Sequence, residues 1–136
     1  MSAYLDWSDE YATGIQAIDG EHQTLFMMVN ALHGAMENDL GNEELAGLFR
    51  RLTLYVDSHF AREERLMRAA AYEGFDGHVR QHRALTKTLR RLATEFEADP
   101  ENFATEDLLD FLKNWLSQHV LKTDMDYVPC LQAATE

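Results

Sequence analysis

The chain has 136 residues, 46% of them hydrophobic, and a formal net charge of −12. That length suits a single domain, 1–136, whose core removes roughly two-thirds of the unfolded surface from water. The charge excludes duplex nucleic acid as a partner, because the phosphates would be repelled, and the single cysteine, Cys130, excludes an internal disulfide and fits a reducing compartment.

Residues 1–18 read as an N-terminal arm. Its start, MSAYLDWSDE, is acidic and lacks the apolar run of a signal peptide. The longest unbroken apolar run near the front, Leu25 to Val29, is far too short to span a bilayer. The expected location is the cytoplasm, with no membrane insertion.

Four stretches then show helical spacing. The first opens at Asp19, a good N-cap, and carries His22, Leu25, Phe26, Val29, Leu32, His33 and Met36. It stops before the turn Asn38-Asp39-Leu40-Gly41. The second begins near Glu43, with core positions Leu45, Leu48, Leu52, Val56, His59, Glu63 and Leu66. A break follows around Gly74 and Gly77. The third reads His78, His82, Leu85, Leu89, Leu92, Phe96 and is closed by Asp99-Pro100. The fourth, capped near Thr105, reads Leu108, Leu112, Trp115, His119, and residues after Asp124 form a C-terminal arm. Short connections between amphipathic helices predict an all-α fold, an antiparallel up-down-up-down four-helix bundle with N- and C-terminal arms.

Charge follows the same segments. Residues 1–49 hold nine acids and no base, residues 50–91 ten bases against five acids, and residues 92–136 ten acids against two bases. Unlike segments can therefore lie side by side as solvated faces. A docking surface for a redox partner is the lesser alternative.

His22, His59, His78, His82 and His119 all fall on stripes that should be apolar, and so does Glu63. Buried imidazoles and charges cost several kcal/mol each unless they find partners. A metal is the economical common partner for six of them. Residues four apart on a helix differ by about 40° around it and about 6 Å along it. His59 and Glu63 therefore point together, as do His78 and His82. His119 and Asp124 are five apart, about 140° on an ideal helix, so both face one site only if the fourth helix ends or loosens between them.

Five imidazoles and two carboxylates exceed the four positions of a tetrahedral zinc. Two octahedral ions offer twelve positions. Five imidazoles, two bridging carboxylates and one shared oxygen fill eleven and leave one for a small ligand. Imidazole suits zinc, copper, iron and nickel, whereas bridging carboxylates favour harder ions, so the mixture points to iron first.

The ordered set His22, His59-Phe-Ala-Arg-Glu63, His78-Val-Arg-Gln-His82 and His119-Val-Leu-Lys-Thr-Asp124 resembles the hemerythrin family, specifically its stand-alone bacterial members. The likeness runs from Trp7 to about Leu131, and the segments IDGEH and HFAREE add to it. It implies two iron ions with a bridging oxo or hydroxo group and reversible binding of molecular oxygen. It assigns His78, His82 and His119 to one iron, His22 and His59 to the other, which keeps the vacant position, and Glu63 and Asp124 to the bridge. An oxygen carrier must keep water and protons out or it autoxidises, and the resemblance gives Leu25, Phe60, Trp115, Leu116 and Val120 as the lining of an apolar oxygen pocket. Backbone carbonyls are the expected acceptors for the outer N–H of the histidines.

Reversible oxygen carriage or storage is the leading function, with no catalytic residues and an oxygen-consuming or redox protein as recipient. The alternatives are an oxygen or redox sensor, which the lack of an attached output domain disfavours, and a di-iron enzyme handling peroxide or nitric oxide. Di-iron oxidases use more carboxylates, which favours carriage. His33 is roughly 16 Å along the helix from His22, too far to share its metal, and reads as hydrogen-bonded or half-exposed. Cys130 reads as a packed small residue. Tyr127 is expected to reach back toward the site, and Met27, Met28 and Met36 read as core filler.

Overall fold

A computed structural model describes residues 4–38, 41–119 and 124–135 of the chain. Among them every regular element is helical: α1 Gln16–Glu37, α2 Asn42–Ala69, α3 Phe75–Ala98, α4 Thr105–Gln118 and α5 Asp124–Thr135, with 3-10 turns at Asp9–Tyr11 and Pro100–Asn102. The stripes assemble as expected into an antiparallel four-helix bundle. α1 packs on α2 and α4, α2 packs on α3, and α5 packs on α2. No described helix is long and apolar enough to cross a membrane.

The buried side chains form two apolar clusters with a polar layer between them. The large one contains Leu25, Phe26, Val29, Leu32, Phe49, Leu52, Val56, Phe60, Leu89, Phe96, Leu108, Leu112 and Leu116 among others. The small one contains Ile18, Met67, Tyr127 and Leu131. On α1 the order is Ile18, His22, then Leu25 and Phe26, one helical turn per layer. On α2 it runs the other way: Val56 and Phe60, then Glu63, then Met67.

Several boundaries differ from the sequence reading, each for a local reason. α1 starts at Gln16 with Ile15 as its N-cap, because burying Ile18 extends the helix by a turn. Asp19 is therefore not a cap. Its carboxylate accepts from the Thr13 N–H at 2.8 Å, the Thr13 hydroxyl at 2.8 Å and the Gly14 N–H at 3.2 Å, tying the arm to α1. α3 starts at Phe75, so Gly77 lies inside its first turn rather than in a break. Gly74 precedes the helix as its N-cap and lets the Tyr72 ring lie close, since a Cβ there would come within 2.7 Å of it. Thr105 is the first helical residue of α4 and Ala104 its N-cap. The C-terminal arm is itself a helix, α5, with exposed Pro129 inside it. Asp39 and Leu40 of the first turn lie outside the described residues.

Met27 is not core filler. It is 68% exposed, pointing away from the stripe that holds Phe26, whereas Met28 and Met36 pack against the large cluster. His33 is half-buried, stacks on Tyr4 at 4.4 Å and lies 3.6 Å from Glu37. Cys130 is half-buried, and its thiol donates to the Ala70 carbonyl at 3.3 Å.

α2 ends in a Schellman motif. The Tyr72 N–H bonds the Met67 carbonyl and the Ala71 N–H bonds that of Arg68, with Ala71 at φ 55. A side chain in that left-handed position costs about 1 kcal/mol that glycine avoids. Ala71→Gly should therefore stabilise the chain by about 1 kcal/mol and raise the melting temperature by about 3–5 °C, read by thermal denaturation. An unchanged or lower melting temperature would show that the turn tolerates its alanine without strain.

Candidate metal centre

Each helix delivers its polar residues at the same level of the bundle because each places them one turn from the next apolar contact. α1 supplies His22, α2 His59 and Glu63, α3 His78 and His82. His119 is the C-cap of α4 and Asp124 the first residue of α5. The regular α-helix of α4 stops at Gln118 and His119 is π-helical, so the α-helical spacing that would set His119 and Asp124 about 140° apart does not run on from α4. Residues 120–123 lie outside the described residues. All seven residues are buried, and the Glu63 and Asp124 side chains are fully so.

Their donor atoms fall into two groups whose members lie within 4.8 Å of one another: Glu63, His78, His82, His119, Asp124, and His22, His59, Glu63, Asp124. The two carboxylates belong to both. Asp124 lies 2.8 Å from His22 Nε2 through one oxygen, and 3.1 Å from His78 Nε2 and 3.0 Å from His119 Nε2 through the other. Glu63 contacts His59 Nε2 and lies 3.7 Å from His78 Nε2 and 3.8 Å from His119 Nε2.

Despite these short distances, none of the five Nε2 atoms and none of the four carboxylate oxygens has a hydrogen bond of acceptable geometry. The atoms aim at shared points rather than at each other. An unsatisfied buried polar atom costs about 1–3 kcal/mol. Nine of them together approach or exceed the whole stability of a typical domain, about 5–15 kcal/mol. Metal ions shared by both groups satisfy all nine, and mixed imidazole–carboxylate donors suit iron.

Without a metal, protonated imidazoles are what balance the two carboxylates. Burial pulls the His59 pKa down, but the Glu63 charge and a hydrogen bond to Glu21 outweigh it and push it up to about 9. Burial likewise opposes His119, which Asp124 and Glu63 push up to about 10. His78 is raised by Asp124 and Glu63 against its burial. Burial wins at His82 and pulls it down to about 3. Glu63 is held well below the carboxylate range, its burial overcome by His59 and His119. Asp124 is lowered too: burial and the Glu63 charge push it up, and His119 and His22 prevail.

Two carboxylates behind the histidines were missed by the sequence reading, which expected backbone carbonyls. Glu21 Oε1 lies 3.0 Å from His59 Nδ1, and Glu64 Oε2 lies 2.9 Å from His82 Nδ1. Both sit in segments already singled out, IDGEH and HFAREE, beside a histidine or a glutamate of the centre. Nothing along one helix says which neighbouring helix they meet. Tyr127 does reach back: it is buried, its ring lies 5.5 Å from that of His78, and its hydroxyl has no hydrogen bond of acceptable geometry. Burial and the Glu63 and Asp124 charges raise its pKa far above the ordinary tyrosine value.

Leu25, Phe60, Trp115 and Leu116 are buried in the large cluster. Phe60 stacks on His82 at 3.8 Å and meets Trp115 edge-on at 5.8 Å, and Trp115 lies 5.7 Å from the His119 ring. Val120 lies outside the described residues.

The family description "Hemerythrin HHE cation binding domain" matches residues 13–131. A bacteriohemerythrin of Methylococcus capsulatus is 34% identical over 133 residues, covering 96% of this chain and 99% of that one. A myohemerythrin of Theromyzon tessulatum is 25% identical over 121 residues, covering 89% and 88%. The crystal structure of a wild-type hemerythrin matches with a TM-score of 0.87 at 32% identity, covering 95% of this chain and 98% of that one.

With His59, His78 and His119 raised and His82 lowered, the metal-free chain is most stable at about pH 6, just below the ordinary histidine value. Above it, the unfolded chain loses protons that His59 and His119 keep, so stability falls as pH rises toward 9 and 10. Below it, the unfolded chain gains a proton that His82 refuses until about pH 3, and the lowered carboxylates add to the loss from about pH 4.5 downward. Melting temperature against pH should be bell-shaped without metal. Metal uptake near neutral pH should release protons into the buffer, because His59 and His119 must give theirs up to coordinate. Calorimetry in buffers of different ionisation enthalpy measures that release, and a zero count would refute the protonated cluster.

Proposed function

This chain belongs to the hemerythrin family, and from that premise we propose that it binds molecular oxygen reversibly, for carriage or storage, at a non-haem di-iron centre. The observation that carries the reading is the pair of buried donor groups sharing Glu63 and Asp124. His78, His82 and His119 would hold one iron and His22 and His59 the other, with Glu63 and Asp124, common to both donor groups, available to each. Bound iron supplies the electrons that oxygen takes up on binding and returns on release.

The chain's own residues do the rest. Glu63 and Asp124 keep all four oxygens free of other hydrogen bonds, as bridging requires. Glu21 and Glu64 accept from the outer nitrogens of His59 and His82, which turns each Nε2 lone pair inward. Leu25, Phe60, Trp115 and Leu116 present apolar surface on the large-cluster side and exclude the water and protons that would help bound oxygen to leave in reduced form, keeping the electrons it has taken. Val120 is assigned to the same pocket. A histidine-rich donor set with only two carboxylates in the centre suits reversible binding better than oxidation of a substrate.

Iron content and the optical spectrum of aerobically purified protein test the reading. Two irons per chain and bands that disappear when oxygen is removed and return with it are expected. Protein from iron-replete cells without iron, or turnover on added peroxide or nitric oxide with no reversible step, would point elsewhere. His119→Ala should lose at least one iron. Leu116→Ala should cost about 2–5 kcal/mol of stability and shorten the lifetime of the oxygenated protein severalfold. An unchanged lifetime removes Leu116 from the pocket.

A further inference from the structure

The two donor groups differ in what stands behind them. His59, in the His22 group, faces Glu21, whose second oxygen accepts from the Arg62 Nε–H at 2.8 Å. His82, in the other group, faces Glu64, which makes no further hydrogen bond or ion pair among the described residues. The Arg83 and Arg68 charges act on Glu64 through space, but neither arginine forms a hydrogen bond or ion pair with it among the described residues. Glu21 is 17% exposed and Glu64 29%, so both carboxylates are partly shielded from water.

An ionised carboxylate only accepts hydrogen bonds, so each imidazole donates from Nδ1 and offers its Nε2 lone pair inward. The stronger the pull on that N–H, the more electron density reaches Nε2 and the better the imidazole holds a highly charged metal. An arginine bonded to the same carboxylate draws off part of the pull. Glu21 carries a directly bonded arginine, whereas Glu64 feels Arg83 and Arg68 only through space.

We infer that Glu21 and Glu64 are positioning residues of unequal strength: Glu64 makes His82 the stronger donor, and Arg62 weakens Glu21 so that His59 stays the weaker one. The two metal subsites are thereby inequivalent beyond their histidine count. The saturated subsite is the one built to stabilise the higher charge. The subsite assigned the open position is held less electron-rich, which favours release of what binds there. This rests on the di-iron reading above.

Glutamine in place of either glutamate keeps a hydrogen-bond acceptor of the same shape and removes only the charge. Cobalt(II) titrated into the iron-free chain, followed by calorimetry and by the hyperfine-shifted Nδ1–H resonances, reads the effect directly. Glu64→Gln should weaken binding about 10–100-fold and shift the His82 Nδ1–H resonance. Glu21→Gln should weaken it less, by about tenfold at most. Arg62→Met should strengthen binding, and the double variant Glu21→Gln/Arg62→Met should match Glu21→Gln alone, because the arginine acts through the glutamate. A larger loss from Glu21→Gln than from Glu64→Gln, no effect of either, or no effect of Arg62→Met overturns the inference. So do losses that track a lower melting temperature of the metal-free variants. A wild-type chain that fails to take up two cobalt ions overturns the di-iron reading itself. Two ions bound by wild type and with equal affinity by every variant overturns only the inequality.

Discussion

Two carboxylates, Glu63 and Asp124, lie fully buried against five imidazoles, and the rest of the chain answers the electrostatic problem they pose. Neither carboxylate would stay ionised in an apolar interior without compensation. Protonated histidines supply it when metal is absent, and cations supply it when metal is bound. The convergence that makes the cluster a metal site also makes its folded state sensitive to proton uptake. Folding and loading are therefore linked through the same nine atoms.

The apolar layers on either side give the cluster its fixed geometry. Each helix changes from polar to apolar within one turn of its polar residues, so the side chains have packed neighbours above and below. The end of α4 is part of the same solution. A regular α-helix would turn Asp124 about 140° away from His119. The π-helical backbone at His119 departs from that spacing, and α5, which Asp124 opens, brings Tyr127 and Leu131 into the small cluster.

The outer surface adds little to stability and one thing to the site. Arg50–Glu97 links α2 to α3 across unlike segments as the charge pattern anticipates, Arg90–Asp57 links them within the basic segment, and both pairs are largely exposed. Such pairs contribute about 0–1 kcal/mol. Arg62–Glu21 joins α2 to acidic α1 and differs in kind, because Glu21 continues inward to His59. A surface charge there is felt by a buried donor.

The sequence by itself determined the helices, their core stripes and the six polar residues, five histidines and Glu63, lying on them, because spacing along one helix is local and its period is set by backbone geometry. Reading a metal site from those residues needed only the chemistry of the donors. Tertiary structure decided what depends on rotation and contact between helices. It sent Met27 outward while Phe26 went in, turned Asp19 from a cap into a tie for the arm, and set Glu21 against His59 and Glu64 against His82. None of these follows from one helix alone. A side chain at the edge of a stripe meets solvent or a neighbour according to how the adjacent helix is rotated and staggered, and that is settled by the packing of all the helices together.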